Sequence, residues 1–190
     1  MQIFSDVKEN DPMIREYCEK AIKGTAQVLD KLDFDVIDKI TERIIKADNV
    51  FVVADVGRPG IALLCFVERL RQMGIRSYRL EESPPTPSVH KGDVVLIGSV
   101  DGEDATSITF MRSAKTIDID YDLFTMTKGS TLEKDASEVV IFDCEEKDGL
   151  IGEEYFELAF YVLLDAIALK IQKKLNKSNA RLQAELPNIH

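Results

Sequence analysis

Val50-Phe51-Val52-Val53-Ala54, followed by Asp55-Val56-Gly57-Arg58-Pro59-Gly60, is the passage on which the fold assignment turns. A short unbroken apolar run rich in β-branched residues has the character of a strand buried on both faces, as in a parallel sheet covered by helices. The glycines and proline after it end the strand and open a helix that continues to about Met73, where Gly74 supplies the stop. Before the run the period is helical. Residues 11–32 form a first helix, with Asp11 as cap, Pro12 at its first position, and Ile14, Cys18, Ala21, Ile22, Val28, Leu29 and Leu32 at helical spacing. A second begins near Asp35, with Val36, Ile37, Ile40, Ile44 and Ala47 in one apolar stripe.

After the run the strand–helix unit repeats. Ile75–Leu80 is a second strand, and Ser83-Pro84-Pro85-Thr86-Pro87 a rigid connection that cannot be helical. Val94–Ile97, entered through Gly92-Asp93, is the third strand; it leads through Ser99-Val100-Asp101-Gly102 into a helix from about Glu103 to Ala114. Asp122–Met126 is the fourth, leaving through Thr127-Lys128-Gly129-Ser130 into a short helix, and Val139–Phe142 is the fifth. A long helix over Glu153–Leu175 carries Phe156, Ala159, Phe160, Leu163, Ala166, Ile167, Lys170 and Ile171. The polar tail beyond Asn176 is expected to be loosely ordered unless a neighbouring subunit holds it. Alternating buried strands and helices require right-handed crossovers and an α/β fold, a three-layer α/β/α sandwich on a five-stranded parallel sheet preceded by two helices. One domain over 1–190 is expected: leading helices in 1–48, sheet core in 49–145, C-terminal helix in 150–176 and tail in 177–190.

The net charge of −10 and the absence of a basic cluster argue against nucleic acid and anionic membranes as partners. Cys18, Cys65 and Cys144 are odd in number and in no metal-ligand spacing, the pattern of reduced thiols. No signal-peptide pattern opens the chain and no apolar run reaches the length of a membrane span, so a cytoplasmic protein is expected. Only His90 and His190 are present, which leaves little for histidine-based metal sites or triads; His90 reads as an exposed loop residue.

In sheets of this kind ligands lie beyond the C-terminal strand ends, which directs attention to residues 55–60, 99–104 and 127–131. Each loop combines glycine with small polar residues before a helix, a geometry that can hold an anion on backbone N–H groups. Ordinary βα turns need the same residues. Neither the dinucleotide glycine spacing nor a P-loop occurs. Asp55 suits a cap or turn as well as a site. Glu145-Glu146-Lys147-Asp148 and Glu153-Glu154 read as solvated surface, the latter pair favouring a helix start.

The order and spacing of these segments resemble a sugar isomerase (SIS) domain of the 6-phospho-3-hexuloisomerase type. The likeness covers nearly the whole chain: Phe51-Val52-Val53, Gly57-Arg58, Gly60, Arg69-Leu70, Gly74, Thr86-Pro87, Lys91-Gly92-Asp93, Gly102-Glu103, Ser130-Thr131-Leu132-Glu133, Phe156-Glu157-Leu158-Ala159 and Leu164-Asp165-Ala166. The resemblance implies a tetramer or dimer with a sugar-phosphate site shared between subunits and no cofactor or metal. Serine and threonine loops would hold the phosphate, a glutamate at the start of the last helix would remove a proton beside the carbonyl, and a C-terminal histidine would assist. Position by position it assigns Glu157 as the base and Gly57, Arg58, Ser99, Gly102, Glu103, Ser130, Thr131 and Asn179 to substrate binding. The chain departs from the pattern where Pro59 replaces a serine, Val100 a glycine, Asp101 and Asp104 hydroxyl residues, and where Asn179 stands in place of the histidine.

A phosphate dianion about 5 Å from one carboxylate, at an effective dielectric of about 20, is repelled by several kcal/mol. Three escapes present themselves: a lost or altered ligand, neutralisation by Lys128 and Arg58, or a divalent cation bridging Asp101, Asp104 and the phosphate. Two functions therefore stand side by side, an isomerase moving a ketone between adjacent carbons through an enediol, and a non-catalytic SIS-type binding or regulatory module.

Overall fold

The computed structural model describes residues 12–53, 57–80, 86–145 and 152–185. Helices α1 (Pro12–Leu29) and α2 (Phe34–Lys46) precede β1 (Val50–Val53), and then follow α3 (Gly57–Gln72), β2 (Ser77–Arg79), β3 (Val94–Gly98), α4 (Ala105–Thr116), β4 (Tyr121–Thr125), a 3₁₀ turn at Glu133–Asp135, β5 (Glu138–Ile141), α5 (Gly152–Lys174) and α6 (Asn179–Ala184). The strands pair in the order β2-β1-β3-β4-β5, all parallel, as the α/β reading requires. The winding direction changes between β1 and β3, the switch point beside which ligands of such sheets bind.

Strand periodicity divides the core. Val50, Val52, Val94, Leu96, Phe124 and Val140 point to one face and pack with α1, α2, α3 and α5. Phe51, Val53, Val95, Ile97, Tyr121 and Leu123 point to the other, which Met111 of α4 covers. The two outer layers are thus unequal: among the described residues α1, α2, α3, α5 and, through Leu182, α6 lie on one side and α4 on the other. Phe124, Phe142, Phe156 and Phe160 clamp α5 to its face: Phe124 and Phe160 centroids lie 4.9 Å apart, and Phe142 meets Phe156 edge-on at 5.0 Å.

Local chemistry accounts for the element ends. The Asp33 side chain accepts from the N–H of Asp35 and of Val36, so α2 starts one residue ahead of the expected Asp35. Asp104 caps α4 by accepting from the Ser107 N–H at 2.7 Å, and the helix begins after it rather than at Glu103. Gly74 adopts φ +82°, the left-handed stop inferred for it.

Several expectations need correction. Ile14 and Ile22 do not join the α1 core stripe; they are exposed, and Ala21, Gly24, Thr25 and Val28 form the buried face instead. Ala166 on α5 is likewise exposed. The short helix after Ser130 is a single 3₁₀ turn, and β4 and β5 each begin one residue earlier than periodicity indicated. Residues 179–184 of the tail are not loose: Ser178 caps α6 through the Arg181 N–H, and Leu182 packs on the core. The proposed Asp11 cap, Asp55, Ser83–Pro85, Glu146–Asp148 and His190 lie outside the described residues.

Asp122 is a fully buried carboxylate on β4, 2.6 Å from Arg43 Nη1 of α2, with its Oδ2 lacking a hydrogen-bond partner. Burial pushes its pKa up to about 7; Arg43 pulls the other way, and Glu138 and Asp120 add repulsion. The folded state therefore holds a proton that the unfolded chain releases near pH 4, so this group's stabilisation is lost as pH rises from about 4 to about 7. Asp122→Asn lacks this titration. Urea unfolding is expected to show the variant gaining stability relative to wild type across that interval and levelling off above it.

Candidate functional site

The candidate site is built where the ends of β1 and β3 meet the first turns of α3 and α5. Gly98 closes β3, and its missing side chain is the space that allows this meeting. A Cβ there would stand 2.7 Å from Phe160 Cε1 of α5 and 3.4 Å from Pro59 Cβ of α3. Pro59 is buried in the first turn of α3, where its lack of an N–H costs no helical hydrogen bond. The residue that departs from the serine pattern is therefore a packing element that draws α3 onto the strand end.

One residue earlier, Arg58 is exposed and reaches α5. Its Nη1 stands 2.9 Å from Glu157 Oε2, near enough for ion pairing. No N–H lines up on that oxygen, however, which is buried and accepts no hydrogen bond. Burial holds the Glu157 carboxyl above the ordinary glutamate range; the Arg58 charge opposes this, while Glu153 and Glu154 in the preceding turn reinforce it. A carboxylate with an unsatisfied oxygen and a raised pKa is equipped to accept a proton from a bound molecule near neutral pH.

Beyond Gly98 the β3–α4 loop is closed on itself. Ser99, fully buried, donates from Oγ to Asp104 Oδ2 at 2.6 Å and accepts the Gly102 N–H at 3.0 Å. Asp101 Oδ1 accepts the Glu103 N–H, and the other Asp104 oxygen accepts from Ser107. This loop joins the next one directly. The Leu132 N–H reaches Gly102 O, Thr125 Oγ1 donates to Val100 O, and the Thr131 N–H donates to Glu103 Oε1 at 2.6 Å. Ser130 is buried against Gly102 and accepts the Glu133 N–H.

The structure thus brings Gly57, Arg58 and Glu157 together, joins Ser99, Gly102, Glu103, Ser130 and Thr131 in a second group, and connects the two groups through Gly98. Asn179 is not brought to either within one chain. It opens α6 and bonds Gln172, which lies roughly 22 Å from Glu157 along the α5 axis. There it lines a groove of about 250 Å³ with Arg69, Gln72 and Gln183. Neutralisation of Asp101 or Asp104 by Arg58 is not observed, since Arg58 turns to Glu157. Among the described residues no His, Cys, Asp and Glu group is arranged to hold a metal. His90 is exposed, its N–H donated to Asp93.

Two contributors escaped the sequence reading. Gly98 carries no local signal, because its role depends on Phe160 sixty-two residues later. Glu133 does carry one: Ser130-Thr131-Leu132-Glu133 has the serine-to-glutamate spacing of a capping box, and its carboxylate takes the Gly129 N–H.

No family model matches the chain. It is 29% identical over 146 residues to a 3-hexulose-6-phosphate isomerase of Methanocaldococcus jannaschii, covering 77% of this chain and 79% of that one. A 3-hexulose-6-phosphate isomerase of Bacillus subtilis is 28% identical over 72% of this chain and 77% of its own. A solved structure from Methanococcus jannaschii, for which 3-hexulose-6-phosphate isomerase function has been inferred, superposes with a TM-score of 0.82 at 25% identity, covering 92% of this chain and 99% of that one. In sequence and in fold the chain is similar to these 3-hexulose-6-phosphate isomerases. Within this fold the Glu157 and Ser130 neighbourhoods lie at the strand-end rim, although the intervening β3–α4 loop is held by its own carboxylates.

Gly102 tests the join between the loops. It has φ +67°, and an added Cβ would lie 2.3 Å from Ser130 Oγ. Gly102→Ala is expected to lower unfolding free energy by about 2–4 kcal/mol in urea titration, from backbone strain and overpacking together.

Proposed function

We propose that the protein is a sugar-phosphate isomerase of the 6-phospho-3-hexuloisomerase type, converting one keto-hexose phosphate into another through an enediol. The observation that carries this reading is Glu157: a largely buried carboxyl with an unbonded oxygen and a raised pKa, held beside Arg58 on the rim of an SIS sheet. The two relatives called 3-hexulose-6-phosphate isomerase support the same substrate class.

In this mechanism the Glu157 carboxylate takes the proton from the hydroxyl-bearing carbon next to the carbonyl. The released electron pair forms the carbon–carbon double bond of the enediol, and the former carbonyl oxygen takes a proton from solvent water. Glu157 then returns its proton to the former carbonyl carbon while the neighbouring hydroxyl gives its proton to solvent water and becomes the new carbonyl. Atoms balance and no redox partner is needed. Arg58 offsets the charge developing on the enediol oxygens, and Ser130 and Thr131, with Lys128 beside them, receive the phosphate. Glu157→Gln keeps the side-chain shape but cannot accept the proton. Turnover of fructose 6-phosphate is expected to fall on the order of 10²- to 10⁴-fold at an unchanged melting temperature; undiminished turnover would exclude Glu157 as the base.

The working form is a homo-oligomer in the cytoplasm, a location that suits three free cysteines. Leu158, Val162, Ala166 and Leu169 form an exposed apolar stripe on α5, and Ile61 continues it on α3. A contiguous exposed apolar stripe of this kind suits an interface with a second copy. Val162→Glu is expected to shift sedimentation to the monomer, and an unshifted profile would remove this face from the interface.

A further inference from the structure

We infer that Glu103 is an internal competitor for the ligand's phosphate: its carboxylate occupies the Thr131 N–H in the empty protein and must be displaced for an anion to bind. The inference rests on the sugar-phosphate reading of this rim and concerns what the empty rim already holds.

The two loops differ in how their donors are used. In the β3–α4 loop the arrangement is permanent. Asp104 has one oxygen on the Ser99 hydroxyl and the other on the Ser107 N–H that starts α4, so removing it would uncap a helix and strand a buried hydroxyl. The one hydroxyl of that loop, Ser99 Oγ, is thereby committed to Asp104. The Thr131 N–H is taken differently. Its acceptor comes from the neighbouring loop, on an exposed glutamate that also takes the Thr131 hydroxyl. The Thr131 hydroxyl first and the Thr131 N–H second hold the Glu103 carboxyl below the ordinary glutamate range, with Lys134 adding a smaller pull. A charge-assisted but solvent-exposed bond of this kind exchanges readily with an anion from solution. Thr131 and the adjacent Ser130 and Lys128 are therefore the donors that a phosphate can win, and Glu103 is the group that it must displace.

Glu133 provides the control. Its carboxylate is of the same sign and in the same turn, but it holds the Gly129 N–H and leaves the Thr131 N–H untouched. A general negative field would weaken anion binding equally through Glu103 and Glu133. Competition for one donor acts through Glu103 alone.

Isothermal titration with inorganic phosphate, fructose 6-phosphate and unphosphorylated fructose tests this on the full chain, using Glu103→Gln, Glu103→Ala and Glu133→Gln. Both Glu103 variants are expected to bind phosphate and fructose 6-phosphate about five- to tenfold more tightly than wild type, with fructose unaffected and Glu133→Gln changed less than twofold. In ¹⁵N–¹H spectra, phosphate is expected to move the Thr131 amide of wild type toward a position distinct from its empty one. Unchanged or weaker phosphate binding in the Glu103 variants overturns the inference, as does an equal gain in Glu133→Gln, or an absence of phosphate binding in every protein. Tighter phosphate binding in the Glu103 variants without isomerisation by any of the proteins would uphold the competitor and refute the isomerase.

Discussion

Close packing at Gly98 is the constraint from which the rest of the rim follows. A β-strand ends there without a side chain, and the vacant volume admits the Phe160 ring from one helix and the Pro59 ring from another. Phe160 is also one corner of the phenylalanine cluster that seats α5 on the sheet, stacking on Phe156 with centroids 5.6 Å apart. Glu157 follows Phe156 in sequence, so burying that ring turns the glutamate toward the strand ends. Pro59 does the same for Arg58 on α3. An apolar packing requirement thus delivers a charged pair to a half-buried position, where burial raises the carboxyl pKa and the guanidinium limits the rise.

The second half of the rim is governed by where backbone N–H groups find acceptors. Turns between strands and helices leave such donors exposed, and in this chain carboxylates take them: Asp101 for Glu103, Asp104 for Ser107, Glu103 for Thr131 and Glu133 for Gly129. Asp101 and Asp104 thereby act as structural acceptors of the loop. Their charges are engaged in holding the loop rather than facing an unoccupied cradle. This use of the donors also separates the loops by function, one closed as a structural cap and the other retaining donors beside Ser130 and Thr131.

Much of this arrangement is legible along the chain. Continuous apolar runs at Val50–Val53 and Val94–Gly98 are readable as buried parallel strands because a strand covered on both faces cannot alternate. Gly74 is readable as a helix stop because capping is local chemistry. Glu157 was reachable only through its resemblance to a family, since one glutamate near a helix start carries no distinguishing pattern. Ile14, Ile22 and Ala166 were misplaced by periodicity alone: α1 and α5 have apolar residues on more than one face, and spacing does not say which face a neighbour covers.

Sequence by itself determined the alternation of strands and helices, the parallel sheet and the loops in which polar chemistry could lie, because each is written in the local pattern of apolar runs, helical spacing and turn residues. Only the tertiary structure decided that Pro59 is a packing residue, that Asp104 is spent on Ser99 and α4, that Glu103 covers the Thr131 N–H, and that Asn179 sits at the far end of α5 from Glu157. Each of these depends on which distant groups the close-packed core presses together, and an acceptor or a ring arriving from another element leaves no trace in local spacing.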